Sequence, residues 1–218
     1  MNLNKLFTAL RQRKNTPARN QQAGRRERYT HALEQFLDGQ PALRLGGVYT
    51  LANLADEWLT DGFLPEQVRI EEAQTIIDAL TECIRTPYPL AQKRQVLEAD
   101  EAPEGYEGDF TRDQEALREE QLVRRTVFVE FSRRLAAVAE SPEKDNGESK
   151  HAVPPISPMW ADLRFDFGGA PIFYPLRQLY FQNADFASAT FYGQADFAST
   201  TFRGDTSFSA AQFTADAS

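Results

Sequence analysis

The chain has 218 residues, 41% apolar and 26% charged, with a formal net charge of −8, fractions ordinary for a soluble globular protein. No stretch approaches the roughly 18–20 consecutive apolar residues that span a bilayer. Cys83 is the only cysteine, which excludes an internal disulfide and a thiolate metal cluster and makes a reducing, cytoplasmic setting the simplest expectation.

Charge is spread unevenly. Residues 1–28 hold eight basic side chains against Glu27 alone, leaving 16 basic and 31 acidic side chains in the rest. Residues 1–24 read as a flexible basic arm, open to contact with anionic lipid at the inner membrane face or with nucleic acid. Within it Leu3, Leu6, Phe7 and Leu10 recur at helical spacing, a run too short to hold a helix alone.

From Arg25 to Leu37, Tyr29, Leu33, Phe36 and Leu37 mark a first helix. Asp38-Gly39-Gln40-Pro41 ends it and opens a second over about 42–59, because proline suits a first helical turn. Gly46-Gly47 lies inside that second helix at a cost of about 1 kcal/mol per glycine relative to alanine, which points to close approach of a neighbouring helix. A third helix spans about 65–85 and stops before Thr86-Pro87-Tyr88-Pro89, with Val68, Ala73, Ile76, Ile77, Leu80 and Ile84 inward. Residues 98–110 are acidic and glycine-bearing, an exposed loop without the alternating carboxylates of a calcium loop. A fourth helix follows over about 112–139, with Leu117, Val127, Phe128, Phe131, Leu135 and Val138 on one stripe. Residues 140–159, proline-rich and charged, read as a linker.

The remainder, 160–218, contains a repeat. Aligned on eleven residues it reads ADFASATFYGQ (184–194), ADFASTTFRGD (195–205) and TSFSAAQFTAD (206–216). Phe181, Phe186, Phe191, Phe197, Phe202, Phe208 and Phe213 carry the pattern. A step of five residues turns a helix by about 500°, so successive phenylalanines would fall on different faces and a helical reading fails. Short strands satisfy the pattern. In Ala184-Asp185-Phe186 the outer two side chains face one way and Asp185 the other, so Ala and Phe point inward and each Phe stacks on one in the neighbouring coil. Gly193 and Gly204 fall where a corner must turn.

The tract closely resembles the pentapeptide-repeat family, whose pattern is a small residue, then Asp, Asn, Ser or Thr, then Leu or Phe, then two small or polar residues. The fit is best over 181–216, with Asp166–Ile172 as an irregular first coil and a sixth residue in alternate steps. RYTHALEQFLDGQPALRLGGVYTLANLADEW (28–58) and TECIRTPYP (81–89) resemble the domain that precedes the repeats in bacterial, especially actinobacterial, members. The resemblance implies an α+β multidomain chain: an α-helical domain at 25–139, the linker, and a short right-handed quadrilateral β-helix, a pentapeptide-repeat solenoid, at 160–218.

No catalytic, cofactor-binding or metal-binding constellation stands out. His31 lies in the first helix and His151 in the linker, with no paired ligands, and Cys83 sits beside Ile84 in an apolar stripe. Asp185, Asp196, Asp205 and Asp216 recur at about eleven-residue intervals at outward, solvated positions. The expectation is a non-enzymatic protein–protein interaction or scaffold module without a cofactor. The alternative implied by the family is a DNA mimic acting on an enzyme such as gyrase. The last coil has no covering element, so its strand edges invite end-to-end self-association.

Overall fold

The computed structural model describes residues 3–139 and 158–214, with side chains over 20–136 and 160–214. Residues 140–157 of the linker expected at 140–159, with His151, lie outside the described residues, as do Asp216 and the side chain of Val138.

Helix α1 (Leu3–Phe36) runs through the segment expected as a basic arm and the first helix together. Arg25, Arg26 and Arg28 on it pair with Asp61, Glu72 and Glu57 of the next two helical elements and the turn between them, each at 2.6 Å. Helix α2 (Pro41–Leu59) starts with proline in its first turn, as the missing N–H there costs nothing. It packs on α1 through Gly47, where a Cβ would lie 2.5 Å from the Phe36 backbone nitrogen and 2.8 Å from the Ala32 carbonyl oxygen. Gly47 therefore sets the closeness of the two helices; Gly46 faces open space.

Helix α3 (Glu66–Arg85) ends at Thr86, whose helical conformation is disfavoured by Pro87 behind it. Its last carbonyls are not left bare. Arg124 Nη1 donates to Ile84 O and Nη2 to Thr86 O, both at 2.9 Å. A 3₁₀ turn at Pro89–Lys93 and the short helix α4 (Arg94–Leu97) follow, neither of them marked by any spacing in the sequence. Helix α5 (Phe110–Ala139) then buries Leu117, Val123, Val127, Phe128, Phe131 and Leu135.

Among the described residues, seven short strands follow a 3₁₀ turn at Pro158–Asp162: β1 (Phe165–Asp166), β2 (Pro171–Ile172), β3 (Tyr180–Gln182), β4 (Ala184–Asp185), β5 (Thr190–Phe191), β6 (Thr201–Arg203) and β7 (Gln212–Phe213). All pairs are parallel, in sheets ordered β1-β4, β2-β5-β7 and β3-β6. Phe165 faces Ala184 and Pro171 faces Thr190, offsets of 19 residues, whereas Tyr180 faces Thr201 at 21 and Thr190 faces Gln212 at 22. The eleven-residue sequence period is thus half of one 22-residue layer.

This corrects the expected fold class. Among the described residues the strands do not close into a quadrilateral β-helix or extend as a solenoid. They form three separate parallel sheets of two or three strands, each strand two or three residues long, against five helices. The physical reason lies in the backbone: left-handed residues recur through the tract (Gln178, Asn183, Ser188, Ser199, Ala210 and Gly169, Gly193, Gly204) and cut every strand short. The two prolines Pro171 and Pro175 lack the N–H that a continuous ladder needs.

The apolar core runs without a break from Ala32 on α1 to Phe191 on β5. At its centre the Phe128 ring of α5 lies 4.6 Å from Phe167, 5.7 Å from Phe181 and 6.4 Å from Phe186, centroid to centroid. Phe131 lies 5.1 Å from Phe165. Helix α5 therefore closes the first end of the aromatic stack.

Candidate interaction surface

Three columns of stacked rings run through the strand-bearing tract. Phe186 stacks on Phe167 at 4.9 Å and Phe208 on Phe186 at 5.1 Å. Phe213 stacks on Phe191 at 4.8 Å with the rings 9° from parallel, and Phe202 on Phe181 at 5.3 Å and 12°. Phe197 completes the second layer, edge-on to Phe191 and Phe202. Contacts of this kind contribute about 0.5–1.5 kcal/mol each beyond area burial. All seven phenylalanines expected as the repeat core thus lie in one aromatic stack.

They are not equally covered. Phe181, Phe186 and Phe191 are buried, Phe197 and Phe208 half-buried, while Phe202 is 36% and Phe213 55% exposed. Exposure rises away from α5 because each ring is covered by the layer above, and the described chain supplies only part of a third layer. Strands β6 and β7 stand at the ends of their sheets, so among the described residues their outer N–H and C=O groups meet no further strand. The result is a floor of four rings, Phe197, Phe202, Phe208 and Phe213, rimmed by open strand edges. Charge near it is sparse, with Arg203 and Asp205 the ionised residues between Phe202 and Phe208.

Gly193 and Gly204, expected as corners, have φ of +70° and +64°. The corners are more numerous than glycine suggested. Ser188, Ser199 and Ala210 stand two residues after Phe186, Phe197 and Phe208 with φ of 55–59°, the same place that Gly193 and Gly204 occupy after Phe191 and Phe202. The signal was present in the alignment, but as a position rather than a residue type.

The residue before Phe167, Phe186, Phe197 and Phe208 holds the turn that follows. Asp166 Oδ1 accepts from the Gly168 N–H, Asp185 Oδ1 from Ala187 and Asp196 Oδ1 from Ala198, at 2.8, 2.8 and 3.0 Å. Ser207 takes the same role toward Ser209 at 3.3 Å. Such Asx and Ser turns satisfy a backbone donor that the left-handed bend leaves free. The aspartates are therefore turn-forming as well as outward-facing, and Asp196 also pairs with Arg177 at 2.8 Å.

Helical side chains missed by sequence reasoning fasten the first two layers. Gln74 bonds both N and O of Arg164, Gln121 donates to Phe173 O, and Ser132 accepts from the Tyr180 N–H. Arg85 donates to Gly168 O and pairs with Asp166, while Arg94 donates to Tyr192 O at 2.7 Å. No fixed spacing marks such residues in sequence, because each answers to backbone groups far away along the chain.

Two ionic clusters lie inside the helices. Glu120 accepts from Arg44 and Arg124; burial opposes its ionisation, and the two guanidiniums outweigh that and hold its carboxyl below the usual range. Asp56 accepts from Trp160 Nε1 at 2.6 Å and from Arg134 at 2.8 Å, tying α2, α5 and the start of the strand tract together. Cys83 sits beside the Arg44 guanidinium, and burial pushes its thiol up, away from the reactive thiolate. His31 is exposed on α1. Open grooves of about 610 and 450 Å³ flank Arg85, the first between α3 and the strands, the second between the segment Pro87–Gln92 and the strands. Among the described residues no group of three or more His, Cys, Asp or Glu side chains is arranged to hold a metal ion. Nor is any helix there long and apolar enough to cross a membrane.

No family model, curated protein or solved structure matches the chain.

Proposed function

We propose that the protein is a non-enzymatic interaction module, in which five helices hold an aromatic stack by one end and present the other to a protein partner. The observation that carries this reading is the pair of exposed rings, Phe202 and Phe213, standing between unpartnered strand edges. Exposed aromatics and open edges together lose free energy when another chain covers them, and apolar patches of this kind mark contact sites. Kinship with pentapeptide-repeat proteins is part of the proposal and rests on the Ala-Asp-Phe and Thr-Phe motifs, with the segments 28–58 and 81–89 beside them. A cytoplasmic setting, argued from the single Cys83 thiol, belongs to it as well. The DNA-mimic alternative needs a continuous acidic face. Asp166 and Asp196 are instead paired with Arg85 and Arg177, which favours docking.

A photo-crosslinking residue tests this directly. With p-benzoylphenylalanine at position 213, irradiation of cells that make the protein is expected to give a protein adduct; the same residue at exposed Leu122 on α5 is expected to give none. Absence of an adduct from 213, or equal yields from both positions, overturns the reading.

A further inference from the structure

The start of α1 combines a charge excess with an apolar pattern that the docking surface does not use. Residues 1–19 hold five basic side chains, Lys5, Arg11, Arg13, Lys14 and Arg19, and no acidic one, while residues 20–218 hold 19 basic and 32 acidic. The next three arginines along the helix are engaged within the molecule, as Arg25, Arg26 and Arg28 pair with Asp61, Glu72 and Glu57. Cover from the neighbouring helices begins there: Arg25 is buried, whereas Asn20, Gln21 and Ala23 are exposed.

Leu3, Leu6, Phe7 and Leu10 alone make too short a run to nucleate a helix. In the structure α1 is one helix from Leu3 to Phe36, so the run extends a helix that packing on α2 already holds at Arg25, Ala32 and Phe36. At about 100° per residue, positions 3, 6, 7 and 10 fall within an arc of about 100°. Positions 11 and 13 border that arc on its two sides, and position 14 continues it one turn further on. An apolar arc edged by Arg and Lys suits a helix lying in the plane of a bilayer interface. Its apolar side enters the acyl boundary, and the long cationic side chains reach back to the lipid phosphates. Nucleic acid rewards the charges but leaves the apolar arc unused, so the pattern favours lipid.

We infer that residues 3–14 of α1 hold the protein on an anionic lipid bilayer, with Leu3, Leu6, Phe7 and Leu10 entering the interface and Arg11, Arg13 and Lys14 meeting the lipid phosphates. The acidic remainder of the chain is repelled by the same surface, so the contact is confined to this end. It uses a surface separate from the aromatic layer, and it stands or falls independently of the docking reading.

Co-flotation of the purified 218-residue chain with lipid vesicles tests it. The expected result is binding to phosphatidylcholine vesicles containing about 30% phosphatidylserine, and binding about tenfold weaker or less to phosphatidylcholine alone. Phe7→Ser with Leu10→Ser keeps the charge, and Arg11→Gln with Arg13→Gln and Lys14→Gln keeps the apolar arc. Each set is expected to weaken binding by about tenfold or more. Thermal melts are expected to stay unchanged, because the altered positions precede the packed part of α1. No binding to the anionic vesicles overturns the inference, as does equal binding to the neutral ones or binding that either set of substitutions leaves intact. Fluorescence anisotropy with a labelled DNA duplex covers the other polyanion. Duplex binding without vesicle binding, unchanged by Phe7→Ser with Leu10→Ser, makes this segment a nucleic-acid contact and overturns the lipid assignment.

Discussion

At the scale of single residues, backbone geometry decides where side chains are tolerated. Gly204 has φ of +64°, and a Cβ there would lie 2.0 Å from Asn183 Oδ1, which accepts from the Asp205 N–H at 3.1 Å. Gly204→Ala is expected to destabilise by about 1–2 kcal/mol, through left-handed strain and a displaced Asn183. Ala210, with φ of 55°, is the opposite case. There Ala210→Gly relieves strain and is expected to be neutral or to stabilise by up to about 1 kcal/mol. Thermal melts of the two variants check the pair, and a loss in both would contradict the assigned corners. The turn aspartates allow a similar comparison: Asp196→Ala is expected to cost about 1 kcal/mol and Asp196→Ser less, since Ser207 already fills the equivalent place.

At the scale of elements, α5 joins the helices to the stack. Phe128 is fully buried among Phe167, Tyr174, Phe181 and Phe186. Phe128→Ala is expected to cost about 3–5 kcal/mol, whereas Phe213→Ala, at a half-exposed ring, costs far less. Equal losses in denaturant titrations would mean that α5 does not close the stack. The same helix carries Glu120, whose carboxyl is held below its usual range by Arg44 and Arg124 against the opposing effect of burial. A depressed folded value adds stability above the unfolded value, and that stability is lost as pH falls toward the folded one. Stability is therefore expected to drop from the ordinary glutamate range downward. Glu120→Gln should be less stable at neutral pH and show a flatter decline in acid, as read by melts between pH 3 and 7. An unchanged slope would place the acid response elsewhere.

At the scale of the whole molecule, what was legible followed from periodicity. The stripes of α2, α3 and α5 and the inward phenylalanines obey local spacing, and so could be read directly. Gly47 was legible as a close approach, though its partner, the Phe36 backbone, was not. The solenoid expectation failed because inward–outward alternation specifies which side chains share a core, not whether strands persist. Residues such as Ser188 and Asn183 adopt left-handed backbone without announcing it as glycine does. The helical fastenings, Gln74, Arg85, Arg94, Gln121 and Ser132, were illegible for another reason. Their backbone partners lie 48–98 residues away, and a hydrogen bond across that separation leaves no pattern in the chain.

What unites these scales is a stack of aromatic side chains closed by α5 at one end and open at the other. Amide hydrogen exchange of the purified chain checks that asymmetry. Amides of Phe165–Tyr192 are expected to exchange slowly and those of Thr201–Thr214, on the uncovered side, markedly faster. Equal protection over the two segments, or slower exchange over Thr201–Thr214, would contradict it.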